Sequence, residues 1–194
     1  MIERFIEYLS NYQKLTEEEE GIIRQCLLVN TYKKGEQLLT EGNISKAFYF
    51  NLQGCVRLYY VVDGEEKTTF FYTEGQFISS FESFVHQKPA KHNLECIEDC
   101  TLVVISQEST SQLLNFSQKF DMLARIIMEE ELITYQNILT LFITMNPEQR
   151  YLAFRENHPE LIRRIPQYLI ASFLGVSAES LSRIKRRTLK KSRK

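Results

Sequence analysis

The sequence predicts an α+β protein: an antiparallel β-roll of the jelly-roll type with flanking helices, then a long helix, then an all-α C-terminal unit built on a helix-turn-helix. Three observations predict it. Between about Val29 and Ser106, aromatic and β-branched runs are punctuated by Gly35, Gly42, Gly54, Gly64 and Gly75, at gaps of 7, 12, 10 and 11 residues. That is the rhythm of short strands joined by turns. From Phe116 to Met145 there is neither glycine nor proline, and apolar residues recur at helical spacing. Beyond Asn146-Pro147 the charge changes sign: residues 146–194 hold twelve basic and four acidic side chains, a balance of +8, which leaves −9 for residues 1–145 of a chain whose net charge is −1. The chain therefore divides into a β-roll domain (1–115), a long helix (116–145) and a helix-turn-helix domain with a basic tail (146–194).

Two short helices open the chain. Ile2, Phe5, Ile6 and Leu9 follow helical spacing, and Thr16 with Glu19 reads as a capping box before a second helix carrying Ile22, Ile23 and Leu27. Within the strand region, Asp63-Gly64 stands between CVRLYYVV and TTFFY, which signals a hairpin because both turn residues tolerate positive φ. The long helix follows, with length for about 45 Å. Met128, Leu132, Tyr135, Leu139 and Phe142 step by 4, 3, 4 and 3, a heptad seam. Leu123, Ile126, Ile127, Ile133, Ile138 and Leu141 lie off that seam. One apolar face can then serve the β-domain and the other a partner helix, which points to a parallel homodimer. Packing of this helix on its own β-domain alone is the alternative. Short helices are expected around 148–156 and 160–164, and Pro166 begins the last unit.

QYLIASFLGVSAESLSRIKR, residues 167–186, matches a helix-turn-helix position by position. Ile170 and Leu174 face the core from the first helix, Ala171 is small where the second helix crosses, and Gly175 supplies the turn. Val176, Leu181 and Ile184 complete the apolar set, and Ser177 is the N-cap of the second helix. Ala178, Glu179, Ser182, Arg183 and Arg186 are left facing outward. A helix in the major groove of double-stranded DNA can aim Arg at guanine O6/N7 and Glu at cytosine N4. Lys185, Arg187, Lys190, Lys191, Arg193 and Lys194 suit the flanking phosphates. A membrane-surface role fits poorly, since the apolar face is already committed to the core.

With this order of parts the chain resembles the Crp/Fnr superfamily of transcription regulators over nearly its whole length. KKGEQLLTEG (33–42), FYFNLQGCVRLYY (48–60) and EGQFISSFESF (74–84) look like the family's cyclic-nucleotide-binding roll, and SAESLSRI (177–184) resembles its recognition helix. The resemblance places Glu179 and Arg183 on base-contacting positions, while Ala178 stands where many members carry Arg. It implies a homodimer on a palindromic operator, a small-molecule effector in the roll, and RNA polymerase as a candidate partner. The implied effector pocket comprises Phe77, Ser79, Ser80, Ala90, Lys91, Tyr135 and Gln136. Members that bind cyclic AMP carry a Gly-Glu pair and an Arg-Ser pair where this chain has Ser79-Ser80 and Ala90-Lys91. Without the ribose-holding carboxylate and the bidentate Arg, tight cyclic-AMP binding is not expected. Members also follow the recognition helix with a β-hairpin wing, and here the basic tail would take over its phosphate contacts. A scaffold with only non-specific DNA binding, and a constitutive DNA binder whose roll is a dimer platform, stay open as alternatives.

Other chemistry finds little support. His86, His92, Cys96 and Cys100 match no common zinc spacing, so no metal site is assigned. There is no GxSxG elbow, Walker loop or HExxH, so no catalytic residue is named and an enzyme is not expected. No pattern names a cofactor, which stays unknown. Cys26, Cys55, Cys96 and Cys100 form no CxxC pair and read as reduced thiols. No apolar run approaches the ~20 residues of a membrane span. The start MIERFIEYLSNY lacks the order of a signal peptide, so a cytoplasmic protein is expected.

Overall fold

A computed structural model describes residues 1–191, the last three (189–191) through their backbone alone. The chain forms two compact units: Met1–Tyr60 with Phe70–Glu129, and Val61–Thr69 with the residues from Glu130 onward. The division falls inside the long helix and assigns the tip of one hairpin to the C-terminal unit.

In the first unit, α1 (Ile2–Ser10) and α2 (Glu17–Cys26) precede the strands. The capping box of α2 is formed: Glu19 N–H donates to Thr16 Oγ1 at 3.3 Å, and Thr16 N–H to Glu19 Oε2 at 2.8 Å. The strands are β1 (Leu28–Tyr32), β2 (Gln37–Leu39), β3 (Ala47–Gln53), β4 (Val56–Val62), β5 (Glu65–Tyr72), β6 (Phe77–Ile78), β7 (Asn93–Cys96) and β8 (Cys100–Ser106). They make two four-stranded sheets, in the orders β1-β8-β3-β6 and β2-β7-β4-β5. At the turn between β4 and β5, Asp63 and Gly64 have φ of 53° and 78°, as the hairpin signal requires. Gly54 is demanded by space as well as by angle: at φ 100°, a Cβ there would lie 2.6 Å from the Asp99 carbonyl and the Cys100 sulfur.

Strand alternation sorts the side chains of the first sheet between two faces. Phe50 and Leu52 of β3, Phe77 of β6 and Val103 and Ile105 of β8 pack under Phe5, Ile6, Leu9, Ile23, Leu123 and Ile127 of the covering helices. The alternate residues point into the roll. Asn51, buried there, donates to the carbonyls of Gly54 at 2.9 Å and Tyr72 at 3.2 Å, the latter on the second sheet.

Helical structure differs from expectation around residue 116. The helix expected from there is α5 (Gln118–Thr144), and a separate α4 (Gln107–Phe116) precedes it; a further α3 (Phe81–His86) follows β6. Ser117, with φ −150° and ψ 136°, breaks α4 from α5. QESTSQ opens α4 with no apolar period to read, so only its cap marks the start: Ser106 Oγ accepts from Ser109 N–H at 3.1 Å. The break is pinned by Glu19, whose carboxylate accepts from Ser117 Oγ at 2.7 Å and from Lys119 Nζ at 2.8 Å.

Beyond Glu130 the C-terminal unit contains the rest of α5, then α6 (Pro147–Asn157), α7 (Leu161–Arg164), α8 (Gln167–Phe173) and α9 (Ala178–Lys191). Asn146 and Gln149 make a second capping box, with Pro147 in the first turn where its missing N–H costs nothing.

Candidate nucleic-acid interface and effector pocket

Helices α8 and α9 meet through the turn at Gly175, whose φ is 68°. A Cβ there would reach Arg150 and Phe142 only at 3.7 Å, so the glycine is called for by its backbone angle and not by crowding. Val176 N–H donates to the Ala171 carbonyl at 3.0 Å and closes the turn. Ser177 Oγ accepts from Ser180 N–H at 3.2 Å and caps α9. Ile170, Ala171, Leu174, Leu181 and Ile184 are buried, and Val176 is half-buried.

Burying that face leaves the other one to solvent. Ser177, Ala178, Glu179, Ser182, Arg183, Arg186 and Arg187 are all exposed. Arg183 Nη2 donates to Ser180 Oγ at 3.0 Å. The carboxyl of Glu179 is held below the usual carboxylate range by a backbone N–H of its own residue, by the Ser177 hydroxyl and by the charge of Arg183. It is therefore an ionised acceptor at neutral pH. Lys185 Nζ donates to Gln167 Oε1 on α8 at 2.7 Å. The side chains of Lys190 and Lys191, with Arg193 and Lys194, lie outside the described residues.

One residue that the sequence reading passed over holds this motif to the long helix. Arg150 of α6 donates through Nε and Nη2 to the Leu174 carbonyl, at 3.1 and 2.8 Å, and through Nη1 to the Met145 carbonyl at 3.1 Å. Its guanidinium lies 4.9 Å from the centre of the Phe142 ring, which also meets Phe173 of α8 edge-on at 6.1 Å. The last carbonyls of two helices are thus satisfied by a cation, the arrangement their dipoles favour. A charged residue three places into a helix gives no such signal in sequence.

The segment Val61–Thr69 is tied to the same unit through Ser172 of α8. Thr68 N–H donates to Ser172 Oγ at 2.9 Å, and that hydroxyl donates to the Glu66 carbonyl at 3.0 Å.

Along α5 the heptad residues Met128, Leu132, Tyr135, Leu139 and Phe142 are all exposed, Leu132 at 58% and Leu139 at 61%. Of the residues off the seam, Leu123 and Ile127 are buried, Ile126, Ile138 and Leu141 are half-buried, and Ile133 is exposed.

The candidate effector residues fall in both units. Phe77 points to the helix-covered face of its sheet, with Phe5 and Phe50, and Ile78 to the other. Ser80 and Ala90 are buried, Ser79 is half-buried, and Lys91 is 77% exposed with Nζ 3.6 Å from Glu82. Tyr135 and Gln136 are exposed on α5 in the other unit. A second unforeseen feature is a buried ion pair on the second sheet. Arg57 donates through Nε to Glu95 Oε2 at 2.7 Å and also through Nη2, and its guanidinium lies 4.0 Å over the Tyr59 ring. A lone Arg in the apolar run CVRLYY is its only trace in the sequence.

Cys96 and Cys100 lie buried against each other, and that contact, with burial, pushes the Cys96 thiol well up. His86 is exposed on α3, away from such surroundings. Among the described residues no group of three or more His, Cys, Asp or Glu could hold a metal ion. No described helix is long and apolar enough to cross a membrane.

The parts define a class: a β-roll unit connected by one long helix to a helix-turn-helix. Residues 29–116 match the family model of the cyclic nucleotide-binding domain. Among curated proteins none matches the chain by sequence. Solved structures do match its fold. FixK2 from Bradyrhizobium japonicum is similar with a TM-score of 0.71, at 17% identity over 86% of each chain. The c-di-GMP responsive global regulator CLP from Xanthomonas campestris gives 0.73, at 14% identity over 91% of this chain and 93% of that one. A structure described as a transcriptional regulator of the Crp/Fnr family, from Eubacterium rectale, gives 0.70, at 17% identity over 95% and 88%. Residues 29–116 are thus similar to the cyclic nucleotide-binding domain, and the fold of the chain is similar to that of these regulators.

Proposed function

We propose that this protein is a cytoplasmic, homodimeric transcription regulator that reads a palindromic operator through α9. The observation that carries the reading is the sorting of α9: Leu181 and Ile184 are buried, while Glu179 and Arg183 are left exposed behind a capped N-terminus. Base-reading side chains at the start of a helix that is anchored from behind are what major-groove docking requires. Two copies joined along the exposed heptad of α5 would present two such helices, with half-site centres about 34 Å apart. An effector that binds one arrangement of the dimer better than another would shift the population between them. Cyclic AMP is not that effector on this reading, because Ser80 offers no carboxylate for a ribose and Lys91 is drawn to Glu82 at the surface.

The test is selection from random duplex DNA by the purified protein at about 0.15 M salt, near physiological ionic strength. Recovery of an inverted repeat with half-sites one turn apart is expected. Salt-sensitive binding without sequence preference, both alone and with candidate effectors, would reduce α9 to a polyanion grip and remove the regulator reading.

A further inference from the structure

The helices on the first sheet do not close over it completely. Between α1, α3, α4 and the first turns of α5 lies a cavity of about 320 Å³. Buried Phe77, Ile105 and Leu123 line it deeply, and exposed Phe81, Val85 and Leu114 stand at its rim. Among the described residues, no Asp, Glu, Lys, Arg or His lines it. Thr110 brings a hydroxyl to the lining, and it already donates to the Ser106 carbonyl at 2.7 Å.

The walls brace one another. Phe48 meets Phe84 edge-on at 5.2 Å between ring centres and Phe77 at 6.1 Å, while Phe5 meets Phe50 at 4.9 Å and Phe77 at 6.1 Å. Protein interiors are close-packed, and a void of this size is normally shed by collapse. Here collapse would break the ring contacts that frame the void. The interior of the roll, by contrast, is occupied by its own fully buried Tyr72, Ile78, Leu94 and Leu102. A dry cavity of ~150 Å³ holds one benzene, and small-molecule sites run from ~300 Å³ upward.

We propose that this cavity binds a small, uncharged, mostly hydrocarbon molecule, with the bulk of two fused aromatic rings or a short acyl chain. A phosphate or carboxylate group is excluded from it, since a charge buried against these walls would find no partner. Resting on the regulator reading above, such a molecule is also the effector. Helix α5 lends the cavity Phe120, Leu123, Ala124, Ile127 and Met128, and Met128 is the first residue of the heptad seam. Occupancy therefore bears on the same helix that would pair with a second copy.

Titration of the full-length protein with N-phenyl-1-naphthylamine, whose emission rises in apolar surroundings, is expected to saturate at one probe per chain and to be reversed by 1-decanol. Ala124→Trp and, separately, Val85→Trp place an indole at exposed rim positions that the fold can carry. Each is expected to weaken probe binding at least tenfold with an unchanged circular dichroism spectrum. Non-saturating binding, or binding indifferent to both substitutions, overturns the site. So does binding that emerges only when Leu139→Asp separates the chains, because the occupant would then be the second copy. The two readings fail separately: an operator recovered without probe binding sinks the cavity and leaves the regulator. Saturable probe binding that leaves operator affinity unchanged keeps the site and removes its effector role.

Discussion

Arg183 and Glu179 are exposed on a helix whose opposite face buries Leu181 and Ile184, so their effect belongs to whatever the exposed face meets. On a groove-reading helix, Arg183→Ala should cost about 1–3 kcal/mol at one base position and relax preference there, while a phosphate contact would weaken all sequences alike. Binding to a panel of single-base operator variants distinguishes these outcomes. Glu19 acts at the same scale but inside the fold. Burial alone would raise its carboxyl, yet bonds from Lys119, the Thr16 N–H and Ser117 outweigh that and hold it at about 2. An unfolded glutamate titrates near ~4.3. The unfolded chain therefore takes up a proton at this site first as pH falls, and the stability contributed above that value is lost on the way down to about 2. Denaturant midpoints measured from pH 6 to pH 2.5 should fall less steeply in Glu19→Gln than in the parent; parallel curves would mean that Glu19 has no such role.

Among the elements, α5 changes task along its length. Its first turns bury Phe120, Leu123 and Ile127, and its later turns expose the heptad. Its C-terminal end is fastened to the helix-turn-helix by Arg150, which satisfies carbonyls of Met145 and Leu174 and covers Phe142. Hydrogen bonds from a charged group each contribute more than neutral ones, so Arg150→Ala should destabilise the C-terminal unit by about 2 kcal/mol. Arg150→Lys should recover little of it, because an ammonium cannot span both carbonyls as the guanidinium fork does. Thermal melts of the three proteins, followed by helix signal, test this; a melt of Arg150→Ala superposable on the parent would show that the contacts add nothing.

For the molecule as a whole, the seam residues Leu132 and Leu139, seven positions apart on α5, are exposed at 58 and 61%. A stripe at heptad spacing on a helix is the seam of a coiled coil. Leu139→Asp should convert the proposed dimer to a monomer with an unchanged circular dichroism spectrum, because that side chain is largely exposed in its own chain. Sedimentation equilibrium reads the result directly. A parent protein that is already monomeric at micromolar concentration would remove the palindromic operator from the account and leave the α9 surface untouched.

Some of this protein is written in short stretches of sequence, and there the reading was firm. The Asp63-Gly64 hairpin, the capping box at Thr16, the Gly175 turn and the apolar sorting of 167–186 each rest on backbone angles or periods that a few neighbouring residues determine. Helices α3 and α4 escaped because their opening turns are polar or brief and carry no readable period. Tertiary structure decided the rest, since it depends on residues far apart in the chain. Glu19 meets Lys119 across 100 positions, Arg57 meets Glu95 across 38, and Arg150 meets Leu174 across 24. The apolar cavity is the extreme case. The residues on its walls are spread from Phe5 to Met128, and only the packing of four helices on one sheet shows that they leave a space among them.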